Sequence, residues 1–311
     1  MNYKHICCLD SVYSLFIYLL LYPQVKSETF FFISDGVAKI IRKKLPYYKY
    51  IPVPKTTNKV AVFLYHICIY IYLYFYTKIK KIPKGLPTFG HDFLKWSDYF
   101  VHSTNNFNLI EDGIGNYIYP VKFSNKYRNS FFYRLLVNSF PMFTLPFGLS
   151  KNVGTIYLTN IAEVPKLIED KVKLIDIQQL WIDLTKEQQE EILSIYVDEK
   201  DLDELFSTNR SIILLTQCFS EDGVWTEDEK VATYKRLLSG YSLNEVIIKK
   251  HPREKTDYKK IFPEAMVINS PIPFQLLNVL NLNLRTAITY SSTAIYCLSD
   301  KVQKIVVEKL S

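Results

Sequence analysis

The chain has 311 residues, 48% of them apolar, with 24 Tyr and 20 Phe but only 9 Gly. This composition allows two domains with large cores, and it excludes global disorder and fibrous or glycine-rich repeat architectures. The net charge of +7 is uneven: residues 1–150 hold 18 Lys+Arg against 7 Asp+Glu, or +11, whereas the remainder carries −4, so the N-terminal half is expected to face something anionic.

In chain order, His5 to Leu9 is predicted as a strand, followed by a helix from about Ser11 to Leu21. Thr29 to Ile33 forms a second strand, and a short helix ends at Arg42-Lys43-Lys44. Tyr47 to Val53 follows as a third strand, then a long apolar helix from Asn58 to Lys78. Gly85 to Gly90 and Phe107 to Ile110 read as further strands, the latter ending in Glu111-Asp112-Gly113. Residues 120–150 read as loop and aromatic helix broken by Pro141, Pro146 and Gly148. Strands alternating with helices at these lengths indicate βαβ units and parallel sheets. A domain boundary is expected near Lys151, giving units 1–150 and 151–311.

In the second half, strands are predicted at Thr155 to Leu158, Lys173 to Ile177, Ser211 to Thr216, Asn244 to Lys250, Ala265 to Asn269 and Thr286 to Tyr290. Helices are predicted at Lys186 to Tyr196, Thr226 to Leu238, Phe274 to Leu280 and onward from Ser291 or Ser292. Two apolar stretches raise the question of a membrane span. Val12 to Tyr22 is too short, and Val60 to Tyr76 is marginal in length and rich in Tyr, so both are read as buried helices. Attachment of the second at a membrane interface, helped by the basic residues after Thr77, is the alternative. The five cysteines are odd in number and lack metal-ligand spacing, which favours free thiols in a reducing cytoplasm. The basic clusters follow apolar helices and match no nucleic-acid-reading motif, so no nucleic-acid partner is expected.

Candidate site residues lie at strand ends, where open α/β sheets bind ligands. Val246 to Lys250 delivers His251, and Pro252 ends regular structure there. Ser211 to Thr216 delivers Gln217 and then Ser220-Glu221-Asp222-Gly223. Ala265 to Asn269 delivers Ser270-Pro271-Ile272-Pro273, with Gln275 following. Thr286 to Tyr290 delivers Ser291, Ser292 and Thr293 at a predicted helix start, where unpaired N–H groups and hydroxyls suit a phosphate. In isolation an ordinary N-cap is the better explanation of that turn; with His251 on a nearby strand end the phosphate is favoured. Glu111-Asp112-Gly113 places adjacent carboxylates where one can act as a general base. No Walker loop or GxGxxG is present, so ATP and dinucleotides are not expected. Asp201-Leu202-Asp203 lies in an acidic helical stretch, so no catalytic metal is expected.

Glu-Asp-Gly at 111–113, His-Pro at 251–252 and Ser-Ser-Thr at 291–293, in that order, resemble the bacterial lipooligosaccharide sialyltransferases, glycosyltransferase family 52. Gly90-His91-Asp92-Phe93-Leu94 and Pro273-Phe274-Gln275-Leu276-Leu277 support the resemblance, which covers almost the whole chain. It implies an α/β protein of GT-B type, with two Rossmann-like domains facing a central cleft. It further implies an inverting, metal-independent transfer of sialic acid from CMP-sialic acid to a terminal galactose of a lipooligosaccharide or capsular glycan. His251 and Ser291, Ser292 and Thr293 would hold the CMP phosphate, and Gln217, Pro252, Pro273 and Gln275 would line the nucleotide site. Gln275 stands where the family tends to place an acid for the ribose hydroxyls. The base would be Asp112, with Glu111 beside it, or Asp222 from the second Glu-Asp-Gly. The expected partners are a nucleotide-sugar donor, a glycan or glycolipid acceptor and the inner membrane face, which the basic half of a cytoplasmic, peripheral enzyme would bind; a homodimer is compatible with this reading. Transfer of another nucleotide sugar to lipopolysaccharide, or a non-catalytic membrane-associated protein built around Val60 to Tyr76, are the alternatives.

Overall fold

A computed structural model of the chain describes residues 3–104, 106–251, 253–280 and 282–307. Pro252 therefore lies outside the described residues. The chain divides into two compact units, Met1–Ile192 and Leu193–Ser311.

The first unit is built on a seven-stranded parallel sheet in the order β3-β2-β1-β4-β5-β6-β7. Its strands are β1 His5–Leu9, β2 Thr29–Ile33, β3 Tyr47–Tyr50, β4 Thr88–Gly90, β5 Phe107–Ile110, β6 Val153–Leu158 and β7 Val172–Leu174. Central strands of parallel sheets are covered on both faces and read as continuous apolar runs, and Cys7, Cys8, Phe31, Phe32 and Leu109 are accordingly fully enclosed. The Val12–Leu21 helix is buried as expected. Ser11 caps it by accepting the Ser14 N–H, and Leu15 to Leu20 lie in the core.

The second unit is a five-stranded parallel sheet in the order β10-β9-β8-β11-β12. Its strands are β8 Ile212–Leu215, β9 Val246–Lys249, β10 Met266–Ile268, β11 Thr286–Thr289 and β12 Gln303–Val306. The Glu227–Leu238 helix is started by a capping box in which Thr226 and Glu229 bond reciprocally, as the Thr-x-x-Glu spacing dictates. Strand order reverses between β1 and β4 in one unit and between β8 and β11 in the other. Those switch points are where α/β sheets open a crevice for ligands.

Three expectations are corrected. The boundary lies some forty residues beyond Lys151: β6 and β7 hydrogen-bond onto β5 and belong to the first sheet, and the first unit ends at Ile192. The helix expected from Ser291 is a 3-10 turn, Thr293–Cys297, because the chain must return to add β12 from Gln303, leaving little length for a helix. The long apolar helix, Lys59–Ile79, buries only His66, Leu73 and Thr77 and exposes the rest of its surface to varying degrees. Those positions, with Ile69, Tyr70 and Tyr76 packed partly against the core beside them, form one stripe at helical spacing, and the opposite face stays exposed among the described residues.

Candidate active site

At the β1/β4 switch of the first unit, His91 follows Gly90 directly, with its ring fully enclosed. Its Nδ1 accepts the Asp10 N–H at 3.4 Å, which puts the ring proton on Nε2. Nε2 then donates to Ser14 Oγ at 2.7 Å, and Ser14 donates to the Glu111 carbonyl at 2.7 Å. Burial pushes the His91 pKa down against the pull of Asp112. Phe93 stacks on the His91 ring with centroids 4.8 Å apart.

The two carboxylates after β5 meet different fates. Glu111 is fully buried and accepts four hydrogen bonds, from Tyr13, Tyr117, the Thr159 hydroxyl and the Thr159 N–H, at 2.6–3.0 Å. These occupy both oxygens, so Glu111 anchors the loop. The Asp112 N–H donates to Asn116 Oδ1 at 2.8 Å, and its carboxylate is turned outward, 36% exposed, with Oδ1 3.6 Å from His91 Nε2. No Lys or Arg pairs with it among the described residues. Gly113 takes φ 134°, a conformation that glycine alone adopts without strain, and it turns the chain so that Asp112 projects. An outward carboxylate with no cationic partner, held beside a neutral imidazole, is equipped to take a proton.

In the second unit, the parallel strands bring the ends of β8, β9, β10 and β11 to one rim, as expected. His251 follows β9 and is half-buried. Its Nδ1 accepts the Arg253 N–H at 3.2 Å, so the neutral ring carries its proton on Nε2, as a donor. Burial, then the charges of Arg253 and Lys249, push its pKa down. Lys249, buried at the end of β9, is itself lowered to about 8 by burial and donates to the Lys250 carbonyl at 2.8 Å. This neutral donor amid cations suits an anionic oxygen.

Beneath His251 lies an ionic network that sequence reasoning missed. Glu254 is buried and accepts the His251 N–H at 2.8 Å, the Tyr258 hydroxyl at 2.6 Å and the Thr216 hydroxyl. Lys230, fully enclosed, lies 3.6 Å from Glu254 and bonds Ser220, Glu221 and Glu227 at 2.7–3.1 Å. A buried cation is tolerated only with such pairing. The signal was the acid three residues beyond His251, where an apolar strand has just ended.

Glu221 also accepts the Lys255 N–H at 2.6 Å. That bond, with help from Lys230 and Ser220, overcomes burial and holds its pKa at about 2. Asp222 is gripped by both arms of Arg253 at 2.6 and 3.0 Å and accepts the Cys218 thiol at 3.2 Å, and these bonds, Arg253 first, lower its pKa. Its geometry is that of a clamp on the Arg253 loop.

Around the switch, Ser291 is exposed with φ 68°, a left-handed position unusual for serine, and Ser292 is buried with its N–H bonded to Thr289 Oγ1 at 3.2 Å. Thr293 opens the 3-10 turn. The Gln217 N–H is taken by the Tyr234 hydroxyl at 2.8 Å. Pro273 precedes the Phe274–Val279 helix, and Gln275 is half-buried in its first turn, after edge strand β10. His251, Gln217 and Ser291–Ser292 thus follow the neighbouring strands β9, β8 and β11, while Gln275 lies farther along the same rim.

A family model described as glycosyltransferase family 52 matches residues 88–311. An uncharacterized protein of Haemophilus influenzae (strain Rd) is 36% identical over 225 residues, covering 72% of this chain and 69% of that one. The GT-B domain of a sialyltransferase from Photobacterium damselae superposes with TM-score 0.60 at 14% identity, over 97% of this chain and 90% of that one. A 2,6-sialyltransferase of Photobacterium sp. JT-ISH-224, crystallised with CMP and lactose, gives TM-score 0.61 at 13% identity, over 98% of this chain and 71% of that one. These likenesses establish the GT-B type of the fold. The family match, which runs from β4 through every strand-end residue described above, establishes more: the chain is a glycosyltransferase and belongs to family 52.

Proposed function

We infer that the protein transfers sialic acid from CMP-sialic acid to a terminal galactose of a bacterial surface glycan, with inversion and without a metal. The observation that carries this reading is the fixed His251 tautomer: its Nδ1 is occupied by the Arg253 N–H, so Nε2–H is the proton available to a phosphate oxygen. The galactose hydroxyl oxygen attacks the anomeric carbon of the sialic acid as the bond from that carbon to the phosphate oxygen breaks. The hydroxyl proton passes to Asp112, and CMP departs with the bonding electron pair. His251 donates to the charge growing on the phosphate, and the hydroxyls of Ser291 and Ser292 add donors there. Donors preorganised for developing charge are usually the largest catalytic term. The buried free thiols Cys7 and Cys8 fit work in a reducing cytoplasm.

Gln275 favours a second reading within the same family. An amide there serves ribose hydroxyls less exclusively than an acid does, which leaves room for another nucleotide sugar. Donor hydrolysis and transfer measured with CMP-sialic acid against UDP-hexoses separate the two. Turnover of CMP-sialic acid is expected, and turnover confined to a UDP-sugar overturns the sialyl assignment.

A further inference from the structure

His251 is held at every polar atom but one by the residues that follow it. Its N–H donates to the Glu254 carboxylate at 2.8 Å, and its carbonyl accepts the Glu254 N–H at 3.0 Å. The Arg253 N–H donates to Nδ1 at 3.2 Å. Reciprocal bonding between residues three apart is the logic of a capping box, here closing a turn at the end of a strand. Nε2 alone is left to meet a ligand. The Glu254 side chain is buried, and its two oxygens divide the work. Oε2 serves His251 and the Thr216 hydroxyl, whereas Oε1 accepts the Tyr258 hydroxyl at 2.6 Å and faces Lys230 Nζ at 3.6 Å.

The segment after His251 is also fastened, residue by residue, to the neighbouring strand end. Arg253 grips Asp222, Glu254 faces Lys230, the Lys255 N–H donates to Glu221 at 2.6 Å, and the Thr256 hydroxyl donates to Glu227 at 2.6 Å. Lys230 closes this set, because its enclosed Nζ lies 3.1 Å from Glu221 and 3.1 Å from Glu227. One ammonium ties the β8 loop, the β9 loop and the Glu227–Leu238 helix together. For stability alone, a packed apolar pair would serve as well as a buried Lys230 and Glu254. What the ionic set adds is a fixed place for the acceptor that holds His251.

We propose that Glu254 is a positioning residue for the phosphate donor His251, anchored by Lys230 so that the imidazole stands in donor geometry before the nucleotide arrives. This rests on His251 acting on a phosphate, as in the reaction above, and not on which sugar is moved. A donor contributes most to developing charge when it needs no reorientation at the moment of reaction, and a misplacement of about 1 Å can cost about a hundredfold. Without Glu254, His251 keeps its ring and loses the acceptor that fixes its backbone. The effect of Glu254 therefore falls on the phosphate, and the base and ribose are spared.

Titration calorimetry of the full chain with CMP and with cytidine isolates the phosphate, since the two ligands differ in that group alone. CMP, as the departing product, carries the charge that the donor only develops on leaving. Glu254→Ala should weaken CMP binding about tenfold and cytidine binding less than about twofold. It should lower kcat by about tenfold while the KM for the donor moves less than about threefold. Glu254→Gln, whose amide oxygen can still accept the His251 N–H, should bring CMP affinity back to within about threefold of the parent. Tyr258→Phe removes a donor from Oε1 alone and should leave the CMP-to-cytidine ratio within about twofold. Should Glu254→Ala fail to fold by circular dichroism, Glu254→Asp, shorter by one methylene, must show the same selective loss. Equal losses of CMP and cytidine affinity, or an unchanged ratio, overturn the proposal. A parent that binds UDP and uridine in place of the cytidine pair sinks the sialyl assignment, and the ratio taken with that pair then decides the role of Glu254. A parent whose phosphate adds no affinity in either pair removes His251 and Glu254 from this role together.

Discussion

The tripeptide Glu-Asp-Gly occurs twice, at 111–113 and 221–223, each time just past an apolar parallel strand, and the two copies do different work. In the first, the glutamate is saturated by neutral donors and the aspartate is left outward without a cation. In the second, the glutamate is bonded to Lys230 and the aspartate is locked by Arg253. A carboxylate held by a guanidinium keeps its charge but gives up basicity. Role is thus set by the partner that the fold delivers. For the second copy that partner comes from the β9 loop, some thirty residues downstream.

The sharpest way to break this contrast is to remove each aspartate's basicity in turn. Asp112→Asn is expected to lower kcat/KM by about a thousandfold. Asp222→Asn should cost only a few-fold, through a looser Arg253 loop. Equal losses in steady-state rates would refute the assignment of base and clamp. His251→Ala should lower turnover by about a hundredfold with unchanged circular dichroism, and near-normal turnover would remove the histidine from the phosphate site.

The next test exploits the first unit's reliance on neutral donors around buried acids. Asp92 is fully enclosed, and burial pushes its pKa up to about 7, against the Gly148 and Phe147 N–H bonds at 2.6 and 2.8 Å. A carboxyl whose pKa is higher folded than unfolded binds its proton more tightly in the native state. Its contribution is therefore complete below about pH 4 and is lost as pH rises to about 7, a change on the order of 4 kcal/mol. Denaturant midpoints measured across that window should fall in the parent and stay flatter in Asp92→Asn, whereas parallel slopes would contradict the assignment. The smallest effects come from the glycines. Gly113→Ala at φ 134° should cost about 2 kcal/mol, and Gly223→Ala at φ 70°, within the left-handed region, about 1 kcal/mol, with equal unfolding midpoints counting against the difference.

Much of the fold was legible because buried parallel strands are short apolar runs bounded by polar turns. His5 to Leu9, Thr29 to Ile33 and Phe107 to Ile110 needed no correction. The boundary was not legible, since nothing in Val153 to Leu158 tells which sheet it will join, and only its pairing with β5 decides. Nor was the exposure of the Lys59–Ile79 helix legible: apolar character predicts that a surface seeks cover and is silent on what supplies it. At the site, His251 and the serines were visible because strand ends and breakers mark them. Lys230 was hidden, because a lysine on a helix usually faces water and its burial depends on Glu221 and Glu254 converging from other loops to join Glu227 of its own helix.

The strand order of the first sheet has a consequence for how the gene can be cut. Residues 88–311, the part the family model matches, begin at β4, yet β4 is an interior strand zipped to β1 along Ile6, Cys7 and Cys8. A fragment starting there would turn a fully buried strand into a naked edge with unpaired N–H and C=O groups, a template for intermolecular pairing. The first three strands are thus the stopper on an otherwise adhesive sheet, and expression trials that trim to the matched region should aggregate more than the full chain does.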